Sequence, residues 1–164
     1  MWKKKAAQFM RFPLVYKLMR LMIRLVVPRT RVGVAVVVVN EADEVFMLRH
    51  VFHPVYQWGL PGGWLKRNED PAVGALRELR EETGLTAVLG PVVAVQHDPI
   101  TAYVGVSYVA TLAPGSPQLS HEIREARWFN TKTLPEPITE HTKVAIEAAV
   151  TYRKNLGIGE ANQA

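Results

Sequence analysis

Cysteine is absent from the 164 residues. Its absence excludes a disulfide framework, a thiolate zinc site and a thiol nucleophile, and it fits a reducing compartment such as the cytoplasm. Acidic residues are missing from the first 40 positions, where nine lysines and arginines stand unopposed; the first acid is Glu41. The rest of the chain carries eleven bases against fifteen acids, so the formal net charge of +5 belongs to the N-terminal arm and the body is mildly acidic. No uninterrupted apolar run approaches the roughly 20 residues of a spanning helix. Internal repeats, low-complexity blocks and a second-domain linker are also missing. What remains, 48% apolar and 21% charged, is the composition of one globular domain large enough to bury well over half its unfolded surface.

The arm itself is informative. Residues 1–12, MWKKKAAQFMRF, are basic and aromatic, and between Pro13 and Pro28 runs LVYKLMRLMIRLVV. Lys17, Arg20 and Arg24 recur there at helical spacing among apolar residues. A helix of this length reaches about 21 Å, short of a ~30 Å hydrocarbon core. No small-residue cleavage site follows, which argues against a secretory signal. Three readings stay open: packing against the body or a partner subunit in a homodimer, attachment of residues 1–28 to an anionic membrane surface, or a targeting role. Packing is the favoured one. The corresponding locations are the cytoplasm or the inner face of a membrane. Residues 1–29 are thus read as an arm, 30–157 as the globular domain and 158–164 as a frayed tail.

The densest chemistry lies between Gly63 and Leu85. Glu78, Glu81 and Glu82 stand at i, i+3 and i+4, which places them on one face of a helix. Asp70 as N-cap, Pro71 in the first helical position and Gly84 just past the end delimit that helix. Three adjacent carboxylates suit a hard cation, Mg²⁺, Mn²⁺ or Ca²⁺, far better than zinc. On the helix alone, a solvated surface with weak i,i+4 pairs is an equal reading. The preceding Leu60-Pro61-Gly62-Gly63 is a loop whose backbone can approach an ion or a phosphate closely.

Spacing separates the two. Gly63, Glu69, and then Arg77-Glu78-Leu79-Arg80-Glu81-Glu82-Thr83-Gly84-Leu85 resemble the Nudix box at all nine specified positions. A chance match at a given start is on the order of one in a billion. The box covers about one seventh of the chain. The resemblance implies an α+β fold, an α/β/α sandwich with a mixed sheet, and Mg²⁺-dependent hydrolysis of a diphosphate linkage in a small nucleotide. It implies metal and base roles for Glu78, Glu81 and Glu82, an orienting role for Arg77 and a metal-facing carbonyl for Gly63. It further implies an acid reaching over from the loop before the last strand, with Glu122 the candidate and Glu125 the substitute. One departure stands out: where many members carry Glu-x-Gly-Glu, this chain has Lys66-Arg67-Asn68-Glu69. The missing cysteine argues against the isoprenoid-isomerase branch.

The remaining pattern frames the box. Residues 31–39 and 44–51 read as strands, as do 87–95 (interrupted at Gly90-Pro91), 102–112 and 126–130. Residues 96–99 read as a turn, and Thr139 as the cap of a closing helix over 140–155. Arg49, Lys66 and Arg67 are candidates for substrate phosphates, and Tyr56 and Trp58 for stacking on a base. His50 and His53 read as surface or loop histidines rather than ligands. Two rival functions are a non-catalytic nucleotide-binding domain, against which all box glutamates are retained, and an RNA 5′-end pyrophosphohydrolase. Nucleic acid is the less favoured partner, because the arm holds an apolar helix where a solvated basic tail would have none.

Overall fold

Val, Ile and aromatic residues at alternating positions build strands on both sides of a helix-forming, glutamate-rich middle, and the fold follows that order. The computed structural model describes residues 13–27, 29–98 and 102–157; the basic lead 1–12, Pro28, residues 99–101 (with the Pro99 end of the expected turn) and the tail 158–164 lie outside the described residues. The chain divides into two units, Met1–Thr30 and Arg31–Ala164.

The first unit contains helix α1 (Pro13–Val26), one residue earlier than its sequence limits. Pro13 suits the first helical position, where an N–H would be unpaired, and Pro28 disfavours helical geometry in the residue before it. No residue of α1 is buried, and the Arg20 guanidinium lies 5.6 Å from the centre of the Tyr16 ring. Among the described residues no helix is long and apolar enough to cross a membrane.

The second unit runs β1 (Arg31–Val37), β2 (Glu44–His50), β3 (Trp58–Gly59), β4 (Gly62–Trp64), α2 (Pro71–Thr83), β5 (Ala87–Asp98), β6 (Tyr103–Leu112), β7 (Ile123–Asn130) and α3 (Glu140–Asn155). The strands form two sheets. One is mixed, in the order β4-β1-β6-β5 with β1 and β6 parallel; the other is antiparallel, in the order β3-β2-β7. Alternation along β1 and β2 decides which helix each residue meets. Val34, Val36, Phe46 and Leu48 join Ala75 and Leu79 of α2, whereas Val37, Val45 and Met47 join Ala145, Ile146 and Ala149 of α3. The result is the expected α+β sandwich, a helix on each side of strand layers.

Several boundaries differ from the sequence reading, most of them because a partner strand is present: Gly62 and Gly63, read as loop, pair with Ala35 and Val34 in β4, and β1, read to 39, ends at Val37. Residues 96–98 continue β5, since Gln96, His97 and Asp98 pair with Gly105, Val104 and Tyr103; no turn forms there. The chain crosses Gly90-Pro91 by shifting register between Leu89 and Val92 rather than by ending the strand. Strand β7 starts at Ile123, because Ile123 and Glu125 pair with His50 and Arg49. At the far end, Thr139 accepts a hydrogen bond from the Thr142 N–H (3.2 Å) and caps α3 as expected.

Candidate active site

Helix α2 is held at both ends. The Asp70 carboxylate accepts from the Ala72 and Val73 N–H groups, and Gly84 sits at φ 68 with its N–H on the Arg80 carbonyl, 2.8 Å away. Between these caps Leu79, Ala75 and Thr83 are buried, which turns the carboxylate face toward β4 and its preceding loop. Arg77 organises that face. Its Nε donates to Glu69 Oε1 (2.7 Å) and its Nη2 to Glu69 Oε2 (2.9 Å), a two-point grip between largely buried groups. Its Nη1 donates to Glu78 (2.8 Å) and to Glu81 (2.9 Å). The Arg77 guanidinium is held charged still more firmly than usual, chiefly by Glu69. Glu69 in turn stays well below the ordinary carboxylate range, at about 2, first because of Arg77 and then because of the Lys66 N–H. Glu69 is a positioning residue that sequence reasoning treated only as a box position.

Glu82 differs from both neighbours. It is buried, its Oε2 accepts from the Gly62 N–H (2.9 Å), and His50 Nδ1 stands 3.8 Å from its Oε1. Burial pushes its carboxyl up to about 8; the Gly62 N–H opposes that, and the charges of Glu78, Glu122 and Glu81 add to it. Burial, helped by His53, lowers the His50 imidazole to about 4. His50 is therefore not a solvated loop histidine. The pairing of β2 with β3 carries it to the edge of the carboxylate group, and only its position at a strand end, two residues from the expected loop, hinted at this.

Strand β4 explains the glycine that opens the box and the one before it. A Cβ on Gly63 would lie 2.7 Å from the Glu78 carboxyl carbon, so that carboxylate rests directly on the backbone. A Cβ on Gly62 would overlap the Val34 carbonyl oxygen. At the departure from the family pattern, Asn68 takes φ 61. Asparagine tolerates this left-handed conformation, so it supplies the turn for which glycine is otherwise chosen. Lys66, standing where an acid is common, places its Nζ 3.1 Å from Glu81, and Arg67 is exposed on the same turn.

The other candidates are distributed as follows. Glu122 is exposed, but its charge acts on Glu82. The chain around it is stitched to the end of α2 by Ser120 N–H to the Glu82 carbonyl (3.0 Å). Glu125 is occupied by Arg127 (2.6 Å) and faces Arg49 at 4.0 Å, and Arg49 also binds Gln57 (2.8 Å). Tyr56 and Trp58 line a cavity of about 550 Å³ that also includes His50, Gly62 and Gly63, so it opens beside the carboxylates. Sequence reasoning missed the opposite wall: Trp64, Tyr103 and His141. A more voluminous groove of about 1220 Å³ beside α3 contains no box residue and is remote from this chemistry.

Among the described residues no three carboxylate or imidazole side chains converge closely enough to enclose an ion. The Arg77 guanidinium occupies the space between Glu78 and Glu81. The donor set nevertheless fits a hard divalent cation: all its side-chain donors are oxygens, and both the burial that raises Glu82 and the lesser repulsion from Glu78, Glu122 and Glu81 are offset by a cation.

Comparison with known proteins points the same way. The NUDIX domain family model matches residues 29–149. The chain is 32% identical over 143 residues to the CMP-5′-(N-acetyl-N-hydroxy-3-aminopropyl)phosphonate hydrolase of Streptomyces rubellomurinus, covering 80% of this chain and 67% of that protein. It is 34% identical over 96 residues to the RNA pyrophosphohydrolase of Roseobacter denitrificans, covering 58% of each. Similarity to the ADP-ribose pyrophosphatase of Methanocaldococcus jannaschii is 22% and covers 65% of this chain and 66% of that one. A MutT NUDIX hydrolase structure from Burkholderia pseudomallei superposes with a TM-score of 0.62 at 27% identity, over 74% of this chain and 98% of the other.

Proposed function

From the premise that the chain belongs to the Nudix family, whose members hydrolyse diphosphate linkages, we propose that it cleaves a phosphoanhydride in a small nucleotide, a nucleoside diphosphate joined to another group. The observation that carries this reading is the contact between the two halves of the site. Gly62 and Gly63 touch both the Glu78 and Glu82 carboxylates and the 550 Å³ cavity, a volume suited to a nucleoside.

The residues divide the work. Glu78, Glu81 and Glu82, with the Gly63 carbonyl, would hold Mg²⁺, or Mn²⁺ as a substitute, and Glu122 would add a ligand from outside the box. The chemistry such an ion would supply is neutralisation of phosphate charge and a more acidic attacking water. Arg77, itself gripped by Glu69, keeps Glu78 and Glu81 in place. Whichever of the three glutamates is not fully used as a ligand accepts the water's proton, and the water attacks phosphorus while a nucleotide phosphate departs. Lys66 and Arg67 attract the outer phosphates. A panel of nucleoside triphosphates, ADP-ribose, dinucleotides and sugar nucleotides, assayed for released phosphate, pyrophosphate or monophosphate with Mg²⁺ and with EDTA, tests this. Turnover that survives chelation removes the metal mechanism, and no turnover on any member removes the hydrolase reading.

A second reading, removal of pyrophosphate from an RNA 5′ end, is favoured by the Roseobacter denitrificans relative and by nine unopposed bases before Glu41. Filter binding of RNA across a salt series separates them, since phosphate-backbone contacts give steep salt dependence.

A further inference from the structure

Helix α1 takes no part in the carboxylate chemistry, and none of its residues is buried. Fourteen residues are few for a helix to persist in water alone, so this one calls for a surface that covers it. The side to be covered is apolar: Leu14, Leu18, Leu21, Met22, Leu25 and Val26 are between half and three-quarters exposed. A continuous exposed face of that kind marks a contact with protein or with membrane.

Two observations choose between these. The first is the width of the face. At 3.6 residues per turn, Lys17, Arg20 and Arg24 fall within about 60° of arc, and apolar residues fill roughly 200° of the remainder. A helix packed on protein needs an apolar stripe of little more than about 100°. A helix lying in a bilayer interface buries a wider arc in acyl chains, while long lysine and arginine stems carry their charges back to the headgroups. The second observation is the sign of the charge. Nine bases and no acid precede Glu41, so α1 holds nothing that pairs its own basic strip. A second copy of α1 would add like charge, whereas anionic headgroups supply the opposite charge over a continuous surface. The sequence ahead of α1 has the same makeup, with Trp2, Phe9, three lysines and Arg11, and tryptophan favours the membrane–water boundary. Among the described residues no helix can cross a bilayer, so the contact is peripheral.

We propose that α1 lies in the surface of an anionic lipid bilayer, with its apolar arc among the acyl chains and Lys17, Arg20 and Arg24 at the headgroups, and so tethers the Nudix domain to a membrane. The attachment is reversible, because one short helix holds it, and it weakens with salt, because part of it is electrostatic. It does not depend on which diphosphate the domain cleaves.

The test uses the full chain and two sets of substitutions in α1. One set, Lys17→Gln, Arg20→Gln and Arg24→Gln together, removes the basic strip. The other, Leu18→Gln with Met22→Gln, makes the centre of the apolar arc polar, and glutamine keeps helix propensity in both. Each protein is floated with vesicles of phosphatidylcholine alone and of phosphatidylcholine with about 30% phosphatidylglycerol, at low and high salt. The wild type is expected to float with the anionic vesicles at low salt and not with the neutral ones. Loss of the basic strip should weaken that partition on the order of 100-fold, and the polar arc should weaken it about tenfold or more. Melting curves of both variants should match the wild type. Equal flotation on neutral vesicles, or flotation unchanged in both variants, overturns the proposal. Flotation lost with the basic strip but kept with the polar arc also overturns it, since that is the behaviour of a surface that binds any polyanion, such as an RNA backbone. Absence of flotation overturns it as well, and the Leu18→Gln, Met22→Gln variant then identifies what covers the face. A dimer that sediments as a monomer in that variant assigns the face to a second copy, and a lowered melting temperature assigns it to the body.

Discussion

Glu81 and Glu82 are consecutive, yet their carboxyls move in opposite directions. Glu81 is half exposed and is held low, first by Lys66 and then by Arg77, while Glu82 is buried and pushed up to about 8. Raised in the folded state from an ordinary 4.5, Glu82 contributes stability that is complete below pH 4.5 and lost as pH rises through 8. His50, lowered to about 4 from 6.5, works the other way, and its contribution grows between pH 4 and 6.5. Above pH 6.5 only Glu82 of this pair still titrates. Glu69 and Glu81, both held low, change only in more acid solution. The metal-free protein is therefore expected to melt at a lower temperature at pH 8 than at pH 6.5, and Mg²⁺ to stabilise it more at pH 8. Melting curves with EDTA and with Mg²⁺ check this; a slope that persists in Glu82→Gln would refute the assignment. For the reaction, Glu81→Gln and Glu82→Gln should each lower turnover about 100-fold or more with the fold intact, since each removes a negative ligand. Near-normal rates in saturating Mg²⁺ would show the ligand set to be wrong. Gly63→Ala should also cost about 100-fold in turnover, because its Cβ would displace the Glu78 carboxylate. Wild-type kinetics in that variant would mean that the close approach has no functional role.

The helix α2 presents its glutamates only because both of its ends are fixed. Asp70→Ala removes acceptors for two N–H groups and should cost about 1 kcal/mol. For a domain of this size that is a fall of roughly 2–4 °C in melting temperature, readable by calorimetry, and an unchanged midpoint would show the cap to be idle. The segment 118–123 is tied to the same helix end: Gln118 N–H bonds the Thr83 carbonyl and Ser120 N–H the Glu82 carbonyl. That attachment brings Glu122 within electrostatic range of Glu82. Glu122→Gln should raise the Mg²⁺ concentration needed for half activity, with a smaller effect on the saturated rate. A metal requirement identical to wild type would leave Glu122 a surface acid.

At the scale of the whole molecule, the charge asymmetry and the chemistry occupy different regions. The residues assigned to metal binding and proton transfer all lie between Gly63 and Glu122. Deleting residues 1–28 should therefore leave diphosphate hydrolysis within about twofold of the full chain, and loss of turnover in a folded truncation would contradict that separation. What the deletion should change is association or location. The stripe of Lys17, Arg20 and Arg24 opposes an apolar face, with Leu14 and Leu25 about three-quarters exposed. At about 1 kcal/mol per basic residue near anionic headgroups, that stripe and its apolar face suffice for reversible attachment. Flotation of both forms with anionic vesicles, beside their melting temperatures and sedimentation, tells attachment from packing against the body or a second copy. Salt-sensitive flotation of the full chain alone supports the first, and reduced stability or altered mass of the truncation supports the second.

The helix α2, its caps and its three glutamates were legible in the sequence because spacing along one helix is local and a nine-position motif leaves little to chance. The β-branched runs of β1 and β2 were equally plain. Boundaries decided by a partner were not: Gln96–Asp98 look like a turn until β6 is beside them, and Ile123–Glu125 look like a loop until β2 pairs with them. The cavity was half visible, through Tyr56 and Trp58. Its other wall gathers Gly33, Trp64, Tyr103, Gly105 and His141 from four elements, and no local spacing links them. The two carboxyls of Glu81 and Glu82 read alike as letters. Only packing against Gly62 and His50 makes one of them buried, because burial is set by what the rest of the chain places around a residue and not by the residue's neighbours in sequence.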